Sequence, residues 1–205
     1  MTGRFITFEG GEGAGKTTLM EGLAHRLTQE KGRSVLKTRE PGGTELGEEI
    51  RHLLLKKRSL MSPYAELCLF LASRSEHIRE VIQPALAKGQ IILCDRFNDS
   101  TIAYQGNARG LSMEKVAHFC SFISEHLTPH LTLYLDIDPE QGLQRAHKVR
   151  EQDRIEAEGL AFHKKIREGY LAIAKKEPNR FHLLDASQPP AQLLEAAMRL
   201  VLRYV

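Results

Sequence analysis

The sequence predicts an α/β fold, a single domain in which five parallel strands carry helices on both faces of the sheet. Three observations predict it. Short apolar runs alternate with stretches of helical periodicity along the whole chain. One of those runs, Ile91-Ile92-Leu93, is apolar without interruption, as a strand covered on both faces must be. The stretches between runs are long enough to serve as the right-handed crossovers that parallel neighbours require. A chain of 205 residues fits one domain. It can bury roughly 70% of its unfolded surface, so no disulfide or structural metal is needed. With 41% hydrophobic and 27% charged residues, and only 16 Gly and 8 Pro, disordered and collagenous chains are excluded.

Each element has its own signal. Arg4 to Glu9 alternates around Phe5, Ile6 and Phe8, runs into the glycines of 10–15, and gives way to a helical stretch from Lys16 to about Glu30. Ser34 to Arg39 is a second strand, stopped by Pro41, Gly42 and Gly43. Thr44 caps a helix with Glu45, Glu48 and Glu49 in its first turns, ending near Lys57. From Ser62 to Lys88 the helical period continues, with Pro63 in the permitted first turn and Pro84 expected to kink or divide the run. Gln90 to Cys94 is the third strand, ending at Asp95. Helices are expected over Ser100–Asn107 and Ser112–Leu127, and a fourth strand over Leu131–Leu135, ending at Asp136. A helix from Pro139, a charged segment from His147 to Glu156, a helix to Lys176, a strand over Phe181–Leu184 and a helix from Pro190 to Tyr204 complete the alternation.

Charge and cysteines narrow the setting. The 29 Lys and Arg against 26 Asp and Glu leave only +3, which gives nucleic-acid or membrane-surface binding no support. Cys68, Cys94 and Cys120 lack zinc-site spacing and read as reduced thiols, favouring the cytoplasm. The first residues lack the apolar core of a signal peptide, and no run approaches a membrane span.

The chemistry starts at Gly10-Gly11-Glu12-Gly13-Ala14-Gly15-Lys16-Thr17, which fits G-x-x-x-x-G-K-[ST] between a strand and a helix, the context of a P-loop. Glycines let backbone N–H groups converge on phosphate oxygens, and the helix N-terminus, with Thr18 in its first turn, favours an anion. Lys16 is expected on the β- and γ-phosphates of ATP and the Thr17 hydroxyl on Mg²⁺. Asp95, at the mouth of an apolar strand, belongs to the same sheet edge and is expected to hold Mg²⁺ or orient an attacking oxygen. Asp136 also ends a strand and is read as structural. Phe70 and Arg74 share a helix face, so a ring can stack on a base while a guanidinium, which only donates, meets a carbonyl beyond it. That arrangement favours thymine or uracil over cytosine. Thr101, Tyr104 and Gln105 stand at i, i+3 and i+4 and are expected to share a face.

Four blocks lie in one order: Glu9 to Thr17, Arg39-Glu40-Pro41-Gly42-Gly43-Thr44, Asp95-Arg96-Phe97 through Ser100-Thr101-Ile102-Ala103-Tyr104-Gln105, and Asp153-Arg154-Ile155-Glu156. Together they resemble the thymidylate kinase family, bacterial branch, over almost the whole chain. The resemblance implies the three-layer fold of P-loop nucleoside monophosphate kinases with a short lid near 146–156. It also implies transfer of the γ-phosphoryl of ATP to dTMP for dTTP synthesis, a homodimer, and no nucleic-acid or membrane partner. By the same resemblance Arg39 and Arg96 grip the acceptor phosphate and Glu12 accepts from the 3′-hydroxyl or approaches Mg²⁺. Thr101 and Gln105 line the thymine pocket with Ser100 nearby, and the Tyr104 ring excludes a ribose 2′-hydroxyl. The lid supplies the catalytic cation, Arg150 or its neighbour Lys148. A signalling GTPase is disfavoured, since N-K-x-D and D-x-x-G are both missing from the sequence. The competitors left are a kinase for another nucleoside monophosphate and a non-catalytic regulator that binds ATP or nucleic acid.

Overall fold

The computed structural model describes residues 3–56, 61–147 and 153–205. Five strands form one sheet: β1 (Arg4–Gly10), β2 (Val35–Arg39), β3 (Ile91–Asp95), β4 (Leu131–Asp136) and β5 (Phe181–Asp185). Their order is β2-β3-β1-β4-β5 and every pair is parallel, in register Thr7 to Cys94 and Glu9 to Tyr134 across the central strand. The five strands match the sequence expectation, with ends shifted by a residue.

The side-chain period of two divides β1 between the two helical layers. Ile6 and Phe8 face α1 (Lys16–Gln29) and α9 (Pro190–Val201), meeting Leu19, Leu23, Leu27, Leu193 and Val201. Each such buried side chain contributes about 1.5–3 kcal/mol. On the opposite face Phe5 packs on Ile78, Ile82 and Phe97. Farther along the sheet, Tyr134 and Phe181 meet Ile166, Tyr170 and Ile173 of α8 (Leu160–Lys176). Helices α2 (Glu45–Leu55), α3 (Pro63–His77), α4 (Gln83–Ala87), α5 (Asn98–Thr101), α6 (Met113–Ile123) and α7 (Pro139–His147) complete the layers. Thr44 caps α2 by accepting from the Gly47 N–H at 3.0 Å, as its sequence position indicated. The expected end near Lys57 lies outside the described residues.

Two helical stretches depart from expectation in being partly π-helical. The run from Ser62 to Lys88 is divided just ahead of Pro84, where a π-helical segment separates α3 from α4. Ile78–Ile82 widens to i→i+5 bonding, so that the Gln83 N–H reaches Ile78 O, and the wider turn ahead of Pro84 accommodates a residue that cannot donate. The helix expected over Ser100–Asn107 is α only through Thr101; Ile102–Ala108 is also π-helical. No helix among the described residues is long and apolar enough to cross a membrane.

Candidate active site

Strand β1 delivers the glycine turn to the carboxyl edge of the sheet, and its neighbour β3 delivers Asp95 and Arg96 beside it. Gly15 holds the N-cap of α1 in a left-handed conformation (φ 89°) with no side chain bonded over the helix end, leaving that N-terminus open to an anion. Gly13 (φ 65°) faces the backbone of α7 so closely that a Cβ would stand 2.0 Å from Gly142 O. Gly142 is equally constrained, since its own Cβ would meet Glu12 O at 2.4 Å. The turn is therefore clamped between the sheet and α7.

Lys16 folds back over the turn, donating to Gly10 O at 3.2 Å and Gly11 O at 3.1 Å. Burial, and then the nearby Arg96, hold its ammonium below the ordinary lysine range. Thr17 and Thr18 are exposed in the first turn of α1. Among the described residues Asp95 Oδ1 is buried without a hydrogen-bond partner. An orphaned carboxylate oxygen and a threonine hydroxyl at one sheet edge are hard oxygen donors, the set that suits Mg²⁺ carried in on phosphates. These residues fit the cation.

Arg96 adopts φ 72°, a strained region for a side-chain-bearing residue, and its backbone is pinned by its N–H donating to Phe8 O at 3.0 Å. The guanidinium lies 5.0 Å from the Tyr104 ring centroid and pairs with Glu12 at 2.8 Å; Tyr104 OH donates to the same Glu12 oxygen at 3.3 Å. Ser100 and Tyr170 each accept from Arg96 at 3.3 Å. Beneath them Glu9, fully buried in β1, accepts from the Phe97 N–H and the Tyr170 hydroxyl, both at 2.9 Å, and from the Ser100 hydroxyl. Burial, and then the charge of Asp99, push the Glu9 carboxyl up to about 7.

Two more arginines converge here. Arg39 is exposed and paired with Glu48 at 2.9 Å. Arg51 of α2 donates to Pro41 O at 2.9 Å, and burial together with Arg39 and Arg96 lowers its pKa, the signature of several cations facing one space.

On α3, Phe70 is half-buried against the cluster that contains Tyr104. Arg74 is 1% exposed: it pairs with Glu40 at 2.7 Å, donates to Thr101 at 3.0 Å and lies 5.1 Å from the Phe97 ring centroid. Glu40 is shared with His77 at 2.9 Å. Thr101 and Gln105 both bond to α3, Thr101 accepting from Arg74 and Gln105 donating to Glu66 at 2.8 Å, while Tyr104 meets Glu12.

The chain matches the family model described as thymidylate kinase over residues 8–197. It is 49% identical to the thymidylate kinase of Protochlamydia amoebophila, covering 96% of this chain and 91% of that one. It is 51% identical to the thymidylate kinase of Pseudomonas entomophila, covering 96% and 93%. The crystal structure of thymidylate kinase from Ehrlichia chaffeensis superimposes with TM-score 0.79 at 34% identity, covering 98% and 99% of the two chains.

The chain belongs to the thymidylate kinase family. It is thus an enzyme, an ATP-dependent kinase of small-molecule nucleotides on the P-loop nucleoside monophosphate kinase fold. Of the lid expected over 146–156, Lys148 and Arg150 lie outside the described residues. The two described arginines of that charged run point elsewhere: Arg145 donates to Ala186 O at 2.9 Å, and Arg154 to Leu54 O at 2.8 Å and Glu66 at 2.6 Å. Asp153-Arg154-Ile155-Glu156 forms a capping box, the Asp153 carboxylate accepting from the Glu156 N–H at 2.9 Å and Glu156 from the Asp153 N–H at 3.1 Å. Glu156 is buried, and burial with the charge of Glu12 raises its pKa, so the turn over residues 153–156 and the P-loop face each other through two carboxyl groups. Asp136 is held by Arg167 at 2.8 Å. Sequence reasoning passed over Glu9, Glu40, Arg51, Glu66 and Tyr170. Glu9 had a signal, a carboxylate among the apolar residues of β1; Glu40, Glu66 and Tyr170 meet partners far away in sequence.

Proposed function

We propose that this chain transfers the γ-phosphoryl group of ATP to dTMP, giving ADP and dTDP, with Mg²⁺ accompanying ATP. The observation that best supports the reading is the 2.8 Å pair between Glu12 of the P-loop and Arg96 at the end of β3, a direct contact between the glycine turn and the arginine read as an acceptor-phosphate ligand.

In the reaction an oxygen of the dTMP phosphate forms a bond to the γ-phosphorus as the bond to the β,γ-bridging oxygen breaks. The acceptor is already an anion, so little base catalysis is needed and positioning dominates. Gly10, Gly11, Gly13, Ala14 and Gly15 present backbone to the phosphates, with Thr18 behind them. Lys16 exchanges its two carbonyl contacts for β- and γ-oxygens. Thr17 and Asp95 would hold Mg²⁺, which when bound offsets the charge of the β- and γ-phosphates. Arg96 and Arg39, with Arg51 beside them, take the acceptor phosphate. A phosphate on Arg96 competes with Glu12, and the Glu12 carboxylate so freed accepts from the 3′-hydroxyl. Phe70 stacks on the base, Arg74 donates to its carbonyl, and Thr101, Gln105 and Ser100 complete the wall. Tyr104 crowds the 2′ position. Arg150 or Lys148 supplies the lid cation. Buried Cys94 and Cys120 without a disulfide support a cytoplasmic setting. Exposed Leu46 and Leu53 of α2, Tyr64 of α3, and Phe119 and Phe122 of α6 support a homodimer.

Initial-rate measurements with a panel of nucleoside monophosphates, ATP and Mg²⁺ test the reading. The highest kcat/KM is expected for dTMP, with dUMP retained at a level about 10- to 200-fold lower, the range one methyl group commands. Equal or better turnover of dCMP or dGMP would overturn it.

A further inference from the structure

Glu66 lies on α3, outside the four sequence blocks, yet it is 1% exposed. Burial works against its charge, but hydrogen bonds from Gln105 and Arg109, and then Arg154, outweigh it and keep its pKa below the ordinary value. Its two oxygens are divided among elements far apart in sequence. Oε1 accepts from Gln105 at 2.8 Å and from Arg109 Nε at 3.1 Å. Oε2 accepts from Arg154 at 2.6 Å and from Arg109 Nη2 at 3.3 Å. Arg109 continues to Glu158, while its guanidinium lies 4.5 Å from the Phe162 ring centroid. Arg154 is also tied to the end of α2 through Leu54 O.

We propose that Glu66 is a positioning residue that couples the base end of the acceptor pocket to the stem of the lid, through one carboxylate bonded on one side to Gln105 and on the other to Arg154 and Arg109. The proposal rests on the placement of Gln105 beside the base given under Proposed function. A carboxylate offers a limited set of lone-pair sites, and here four donors use them. When the Gln105 amide turns to meet a base, its bond to Oε1 lengthens or breaks, and the charge it had shared becomes available to Arg109 and Arg154, which anchor the segment 153–158. Seating the lid stem and seating the base are then favourable together. The capping box of Asp153 and Glu156 makes that segment a rigid unit, so a pull on Arg154 moves Glu156 against Glu12 rather than dissipating along the chain.

A double-mutant cycle tests this, since coupled residues are non-additive and independent ones add. Steady-state kinetics with dTMP and ATP would be run on Gln105→Ala, Arg154→Ala and the double variant, then on the same set in a Glu66→Gln background. Arg154→Ala is expected to raise the KM for dTMP about fivefold while the KM for ATP stays within about twofold. The double variant is expected to fall short of the product of the single effects by at least about threefold, and that shortfall to vanish in Glu66→Gln. If Glu66→Gln fails to fold, the first cycle still decides. Large single effects that multiply cleanly would overturn the coupling alone. A dTMP KM unmoved by Gln105→Ala would remove the pocket assignment and overturn both. An Arg154→Ala that lowers Tm but leaves the dTMP KM unchanged would reduce Glu66 to a structural ion pair and overturn the proposal.

Discussion

The guanidinium of Arg74 has two claims on it, Glu40 at 2.7 Å inside the fold and the base proposed for the pocket. Deleting it leaves the Glu40 carboxylate buried with His77 as its remaining side-chain partner. Arg74→Ala is therefore expected to raise the dTMP KM at least about tenfold with the ATP KM unchanged. It should also cost about 3–5 kcal/mol of stability, the penalty for breaking a buried pair from one side. Kinetics and urea denaturation read the two effects separately, and an unchanged dTMP efficiency would end the base-clamp argument. Glu9 gives a prediction with a definite sign. Its folded pKa of about 7 stands above the ordinary 4.5, so the native state holds a proton that the unfolded chain has released between those values. Its contribution to stability is complete below about pH 4.5 and is lost as pH rises through about 7. The urea midpoint should fall more steeply over that window in the wild type than in Glu9→Gln; parallel profiles would refute the assignment. Residues of this kind mark what the sequence showed. Lys16 and Thr17 stand out through motif spacing and Asp95 through its place at the end of an apolar strand, whereas Glu40 and Glu66 pair across 34 and 88 positions with Arg74 and Arg154, and no local pattern records that.

At the scale of elements, the five strands were legible because apolar runs bounded by glycine, proline or aspartate carry a local signal. The two π segments were not. A helix of i→i+5 bonds differs from an α-helix by a slight widening that apolar periodicity does not resolve, and one of the two segments carries Tyr104, bonded to the P-loop, and Gln105, bonded to α3. Contact between α7 and the glycine turn was equally hidden, since it depends on two glycines, Gly13 and Gly142, meeting backbone to backbone. That contact predicts the consequence of one methyl group. In Gly13→Ala the new Cβ would stand 2.0 Å from Gly142 O, at a φ of 65° that side chains resist, so α7 and the turn must separate. A displacement of about 1 Å at the phosphates costs on the order of 100-fold in rate. The variant should lose about that factor in kcat/KM for ATP. Gly32→Ala, at φ 59° with nothing within 4 Å of the added Cβ, provides the control and should keep full activity. Equal activities would show that backbone approach at Gly13 does not position the turn.

Over the whole molecule, stability and chemistry occupy different places. The packed clusters run along both faces of the sheet, while Lys16, Asp95 and Arg96 gather at its carboxyl edge, where β1 lies between β3 and β4. An open α/β sheet binds ligands at that edge, outside the ends of its strands. The orphaned Asp95 oxygen belongs to this edge and supports no part of the core. Groups arranged for function at a cost in stability leave a testable trace: replacing them abolishes activity without weakening the fold. Asp95→Asn retains the shape and removes the charge of a carboxylate whose buried Oδ1 has no hydrogen-bond partner among the described residues. It should lower kcat by on the order of 100-fold or more at saturating Mg²⁺, the scale of losing one preorganised charge-stabilising group. Its Tm should be equal to or above that of the wild type. Chelation of divalent cations should mirror this, stopping transfer while leaving the Tm of the nucleotide-free protein within about 2 °C, because a cation that arrives on phosphates contributes nothing to folding before they bind. Differential scanning calorimetry beside an ADP-release assay measures both. A chelated protein that melts several degrees lower would place a cation inside the resting fold, and the division between core and sheet edge argued here would fail.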